Sequence, residues 1–204
     1  MQILKMGIVL TIVGAVATTV LASVYDVTKG PIAEAKRQEV LAALKEVLPP
    51  GFDNEPDRDT VVLVDKRLHR KEKPVTFYRS RISGEVTGVA YVVTAPDGYS
   101  GDIDIMMGLN TDGVLTGIKV VAHAETPGLG DKIVVTDWPE SFKGESQNSV
   151  KWAVKKDGGH FDQFAGATIT PRAVVNAVKR GLDFFAENKA KCLADPPAKA
   201  DDKS

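Results

Sequence analysis

The residues able to do chemistry are concentrated in a nine-residue stretch, Asp162 to Thr170 (DQFAGATIT), directly before the last apolar-periodic segment of this 204-residue chain. Thr170-Pro171 reads as a helix start, with threonine as cap and proline as first helical residue. A helix start presents unpaired N–H groups and the positive end of the helix dipole, which together stabilise a phosphate. Gly166 and Ala167 lack bulk and let a ligand approach the backbone, and Thr168 offers a hydroxyl just upstream. By themselves these residues make either a phosphate site or a small-residue turn leading into a capped helix. His123 to Lys132 (HAETPGLGDK) is a second candidate. Pro127-Gly128 and Gly130 build a loop whose amides can face a ring system, and Glu125 or Thr126 can hydrogen-bond its edge. Alone, that loop is equally a tight surface turn. It is not a P-loop, because the Gly-x-x-x-x-Gly-Lys-(Ser/Thr) spacing is absent.

Other chemistries are excluded by what the chain lacks. Lys+Arg 26 against Asp+Glu 27 gives a net charge of -1, without the basic footprint of a nucleic-acid binder. Cys192 is the only cysteine, and His69, His123 and His160 are too scattered to write a zinc site, so no metal is expected. Ser80, Ser83 and Ser100 stand in no nucleophile-elbow context, and no Gly-x-Gly-x-x-Gly fingerprint follows a strand. No catalytic residue is therefore expected.

The candidate loops need a frame. Val61–Val64, Val75–Tyr78 and Val86–Thr94 read as strands, followed by a hairpin of Ile103–Leu109 and Val114–Val121 turning at Asn110-Thr111-Asp112-Gly113. A Gly- and Pro-rich loop from Glu125 to about Ser149 precedes an expected strand at Val150–Lys155. Ala173, Val174, Ala177, Val178, Leu182 and Phe185 give the final helix one apolar face to pack on the sheet. At the other end, Met6 to Tyr25 is twenty residues without a charge, long enough to span a membrane. A cleaved signal peptide is the alternative, with Lys5 as n-region and Val20-Leu21-Ala22 before the cut. Gly14, Ala15, Ala17 and Ala22 make a small-residue face for another helix or simply face lipid. The span continues into a helix-like stretch, and after Gly30-Pro31 an amphipathic helix, Ile32–Leu48, is expected, stopped by Pro49-Pro50-Gly51 and followed by a polar linker. The organisation expected is an anchor at 1–25, a juxtamembrane helix and linker at 26–58, an α+β domain of antiparallel sheet and packed helices at 59–188, and a flexible tail at 189–204. Lys29, Lys36, Arg37 and Lys45 follow the span, so a charge count would keep the domain in the cytoplasm. That rule weakens for long translocated domains, and a span that doubles as an export signal places the domain outside.

DQFAGATIT resembles the flavinylation motif Asp-x-x-(Ser/Thr)-Gly-Ala-Thr of the FMN-binding domain family, with Asp162, Gly166, Ala167 and Thr168 matching and Ala165 standing where the family has Ser or Thr. HAETPGLGDK resembles the family's Glu-Thr-Pro-Gly-Leu-Gly loop, and Gly98-Tyr99-Ser100-Gly101 its Gly-Tyr-x-Gly entry. The resemblance implies FMN joined by a phosphoester to the Thr168 hydroxyl, installed by a separate flavin transferase that uses FAD. It assigns cofactor contacts to Gly166, Ala167, Asp162, Thr170, Glu125, Thr126, Gly128 and Leu129. Tyr99 either covers the flavin or belongs to the core, and His123 either ends its strand or lies near the ring. With one N-terminal span, the layout is most similar to flavin-carrying subunits of Rnf-type ion-translocating electron-transport complexes. The C subunit of the sodium-pumping NADH:quinone oxidoreductase is a near relative. The resemblance thus implies an electron relay with no catalysis of its own, partnered by other membrane, iron–sulfur and flavin subunits. Its flavin domain is expected on the outer, periplasmic face of the inner membrane. A membrane-anchored FMN-binding reductase and a regulatory module, the latter suggested by Ala165, are the alternatives.

Overall fold

The computed structural model describes residues 2–194. Its first element, α1 (Gln2–Val47), is one helix of 46 residues, with Pro31 inside it. The apolar span and the amphipathic stretch after Gly30-Pro31 are one continuous helix. Proline in a helix interior removes one N–H and crowds the carbonyl four residues back, yet Ala33, Glu34, Ala35 and Lys36 directly after it are strong helix formers, and propagation continues. Among the described residues this is the one helix long and apolar enough to cross a membrane. Leu10, Val13, Val16 and Leu21 are exposed along it. The chain divides into two compact units, 1–40 and 41–204, so the last turns of α1 belong with the globular part.

Five strands follow as an antiparallel meander in sequence order: β1 (Thr60–Val64), β2 (Pro74–Ile82), β3 (Glu85–Ala95), β4 (Ile103–Asn110) and β5 (Leu115–Ala122). The α+β class expected from the sequence is the class observed. Side chains alternate across a strand, so each face can be read from the register. On one face Val89, Tyr91, Val93 and Ala95 of β3 pair with Leu109, Met107, Ile105 and Ile103 of β4, all fully buried. This face receives α3 (Ile169–Leu193), which buries Val174, Val178, Leu182 and Phe185. Gly181 lets the helix approach, since a Cβ there would run into the Met107 sulfur and Val93. The Tyr91 hydroxyl donates to the Gly181 carbonyl at 2.9 Å.

The opposite face is floored by glycine. Gly108 pairs directly with Gly117, and the end of α1 rests on them with Ala43, Leu44 and Val47 buried. A Cβ on Gly108 would collide with the Val47 carbonyl, which accepts a hydrogen bond from the Thr116 hydroxyl. Lys119 Nζ meets Glu46 Oε1 at 2.5 Å beside this contact.

Four further expectations are corrected. β2 runs on through Arg79, Ser80 and Arg81, polar residues that end the apolar pattern, because Asp59 accepts from both arginines and Arg79 is fully buried. Val150–Lys155 is no strand: Val154 makes a single bridge to Phe161, and a 3-10 turn at Lys155–Asp157 reverses the chain before a ladder can grow. The loop from Glu125 is partly ordered into α2 (Lys132–Val135) and a 3-10 turn at Trp138–Phe142. α3 kinks at Asn188, where φ is -118 and ψ 17, and a further helical piece then runs to Leu193 past Lys189, where the tail was expected to begin, with Cys192 buried; residues 195–204 of that expected tail lie outside the described residues.

Candidate functional site

The N-cap of α3 is Thr168, not Thr170, and the helix begins at Ile169. Thr168 already has helical dihedrals (φ -75, ψ -28), and its hydroxyl makes no capping bond. Thr170 is unavailable as a cap because its hydroxyl donates to Glu125 Oε2 at 2.6 Å. Upstream, Phe164 and Ala167 form an isolated bridge that closes a tight turn, with the Ala167 N–H donating to the Phe164 carbonyl at 3.1 Å. Gly166 supplies the positive φ of 77° that this turn needs. Ala165 is exposed in the turn, and no hydroxyl is required there to close it.

The turn is held from behind by aromatic packing. Trp138 Nε1 donates to the Asp162 carbonyl at 2.8 Å, and the Trp138 ring meets Phe164 edge-on at 5.6 Å. The Asp162 carboxylate pairs with Lys155 at 2.7 Å. Arg172, in the first turn of α3, makes two bonds to Asp157, at 2.7 and 3.0 Å. That guanidinium holds the Asp157 carboxyl below the usual carboxylate range.

The second candidate loop leaves β5 and folds around one acceptor. The N–H groups of Leu129, Gly130 and Asp131 point at the Thr126 carbonyl at 3.2, 3.2 and 3.4 Å, with Gly128 at a φ of 77°. His123 Nδ1 accepts from the Glu125 N–H at 3.2 Å, so His123 closes the end of its strand. Glu125 is only 5% exposed. Its Oε1 accepts from the Ser100 N–H at 3.0 Å, while Oε2 takes the Thr170 hydroxyl. Gly98 and Gly130 leave room for this carboxylate, since a Cβ on either would crowd it.

These segments enclose a cavity of about 300 Å³. Glu125, Thr126, Thr168 and Thr170 give it polar groups, Gly166 and Ala167 a bare backbone edge, and Tyr99 and Leu129 an apolar rim. Tyr99 is 69% exposed, so it is not a core residue. Two residues expected at the site stand outside the lining: Asp162, turned to Lys155, and Gly128, which shapes the loop from behind. Gly130, read in the sequence only as part of the loop, lines it as well, and so does Ile169, which was not expected. The repeated glycine of Gly128-Leu129-Gly130 was a readable signal for the first; nothing in the sequence marked the second until the helix start was placed. Among the described residues no group of three or more His, Cys, Asp or Glu side chains could hold a metal ion.

Cavity, turn and helix start together lie in a segment whose class is defined by comparison: residues 98–183 match the family model of the FMN-binding domain. Residues 1–47 match a second model, the RnfG N-terminal region. The chain belongs to the family of G subunits of ion-translocating oxidoreductase complexes. The ion-translocating oxidoreductase complex G subunit of Pseudomonas aeruginosa (strain UCBPP-PA14) is 43% identical, over 97% of this chain and 95% of its own. The protein of the same name from Aliivibrio fischeri (strain MJ11) is 40% identical, over 94% of each chain. A solved structure, NqrC of Shewanella oneidensis, is 24% identical and covers 67% of this chain and 71% of its own, with a TM-score of 0.47.

Proposed function

We propose that this chain is the flavin-carrying subunit of a membrane-bound ion-translocating oxidoreductase complex, bearing FMN on Thr168 and relaying electrons between neighbouring subunits as the complex moves ions. The observation that carries this reading is the Thr168 hydroxyl, left uncapped at a helix start on the edge of a cavity. The residues present fit the group. The opening N–H groups of α3 suit a phosphate, the bare backbone at Gly166 and Ala167 admits one, and the rim of Tyr99, Leu129 and Ile169 suits a flat apolar ring.

Attachment balances as a transfer from FAD. Thr168 Oγ1 becomes bonded to phosphorus, the pyrophosphate bond of FAD breaks, AMP leaves, and the hydroxyl proton passes to solvent. When bound, FMN supplies electron uptake and release. The chain does the rest: the phosphoester prevents loss of the group, the first turn of α3 orients the phosphate, and the open rim leaves the ring accessible to partner subunits. The domain is placed on the periplasmic side of the inner membrane, with α1 as its anchor.

Intact mass of the full-length protein, after incubation with FAD with and without a flavin transferase, tests the attachment. A gain of one FMN less one water is expected, absent in Thr168→Ala. An unchanged wild-type mass, with the transferase active on a control protein, overturns covalent attachment.

A further inference from the structure

Glu125 was expected to hydrogen-bond the edge of the flavin, but each of its oxygens already has a donor from the protein. Those donors come from segments far apart in sequence. Oε1 holds the Ser100 N–H, beside Tyr99 in the loop between β3 and β4, and Oε2 holds the Thr170 hydroxyl in the first turn of α3. Glu125 itself opens the third segment of the cavity wall. The space it occupies is reserved twice, by the missing side chains of Gly98 and Gly130. A carboxylate 5% exposed, with one bond to a backbone donor and one to a hydroxyl, joins the three segments that form the cavity.

We propose that Glu125 is a positioning residue: it straps the first turn of α3 to the loop of Ser100 and so fixes where the Thr168 hydroxyl stands for modification. The inference rests on the attachment proposed above. Ser100 supplies a backbone donor that must meet an oxygen, whereas the Thr170 hydroxyl can turn round and accept. Glutamine at position 125 therefore preserves both bonds without the charge, and alanine loses both.

The test is the initial rate of FMN attachment to the full-length protein by transferase and FAD, read by intact mass, with thermal melting of each variant in parallel. Glu125→Ala is expected to slow attachment at least about tenfold, as a displaced reacting group does, and Glu125→Gln to restore it. A wild-type rate in Glu125→Ala overturns the proposal, as does a Gln variant as slow as the Ala variant. Should Glu125→Ala lose its cooperative melt, Thr170→Val cuts the strap at one end; slow attachment with a normal melt supports the proposal and a wild-type rate overturns it. A wild-type chain that takes up no FMN overturns the attachment itself and this inference with it.

Discussion

Thr168 stands where a threonine ordinarily caps a helix, and its hydroxyl is withheld from that task. A capping side chain contributes typically about 1 kcal/mol; here that contribution is missing. Thr168→Ala is therefore expected to change stability by less than about 0.5 kcal/mol in urea titration, while removing the hydroxyl that the proposed attachment needs. Cys192 gives a second prediction at this scale. Burial pushes its thiol from 9.0 up to about 12, so the folded chain keeps a proton that the unfolded chain releases. The stabilisation this gives is complete below pH 9 and fades as pH rises from there through about 12. Cys192→Ala should flatten that alkaline decline relative to wild type in urea titrations across the same window. Buried Tyr91 is also raised well above its usual value, first by burial and then by the charge of the Cys192 thiolate, so Cys192→Ala relieves part of the Tyr91 shift as well and flattens the decline in the same direction.

Among the elements, the least tolerant contact is the glycine floor under the end of α1. A Cβ at Gly108 meets the backbone of Val47, which cannot swing aside as a side chain tip would. Gly108→Ala is expected to cost about 1–3 kcal/mol, the range for overpacking, measured by urea unfolding of the full-length protein in detergent. The five strands were legible because Val89, Tyr91, Val93 and their partners alternate with residues of the other face. Helix boundaries were harder to read. Pro31 has the type of a helix stop but sits in a helix that continues, and Thr170-Pro171 has the type of a cap but spends its hydroxyl on Glu125, 45 residues back. The site followed the same division. The turn at Gly166 and the loop of Gly128 and Gly130 could be placed from local sequence, whereas the burial of Glu125 depends on Ser100 and Thr170, contacts that no local pattern encodes. That the Asp162 carboxylate pairs with Lys155 was hidden for the matching reason, its partner lying across a turn that reads as a strand.

For the whole molecule, the proposed orientation is the reading most open to a direct measurement. The exposed loop between β1 and β2, with Arg70 and Lys71, offers trypsin sites on the globular part. In spheroplasts, externally added trypsin is expected to cleave there, while inverted inner-membrane vesicles should protect the domain until detergent is added. The reverse pattern would put the domain in the cytoplasm, as the count of Lys29, Lys36, Arg37 and Lys45 suggests.

The apolar residues at the cavity rim have one more consequence. Tyr99, Leu129 and Ile169 are all outside the buried core, whose packing is complete without them. The polypeptide can therefore reach its final shape before any cofactor arrives. If FMN is attached as proposed, folding then precedes loading, and the transferase meets a finished protein instead of a nascent chain.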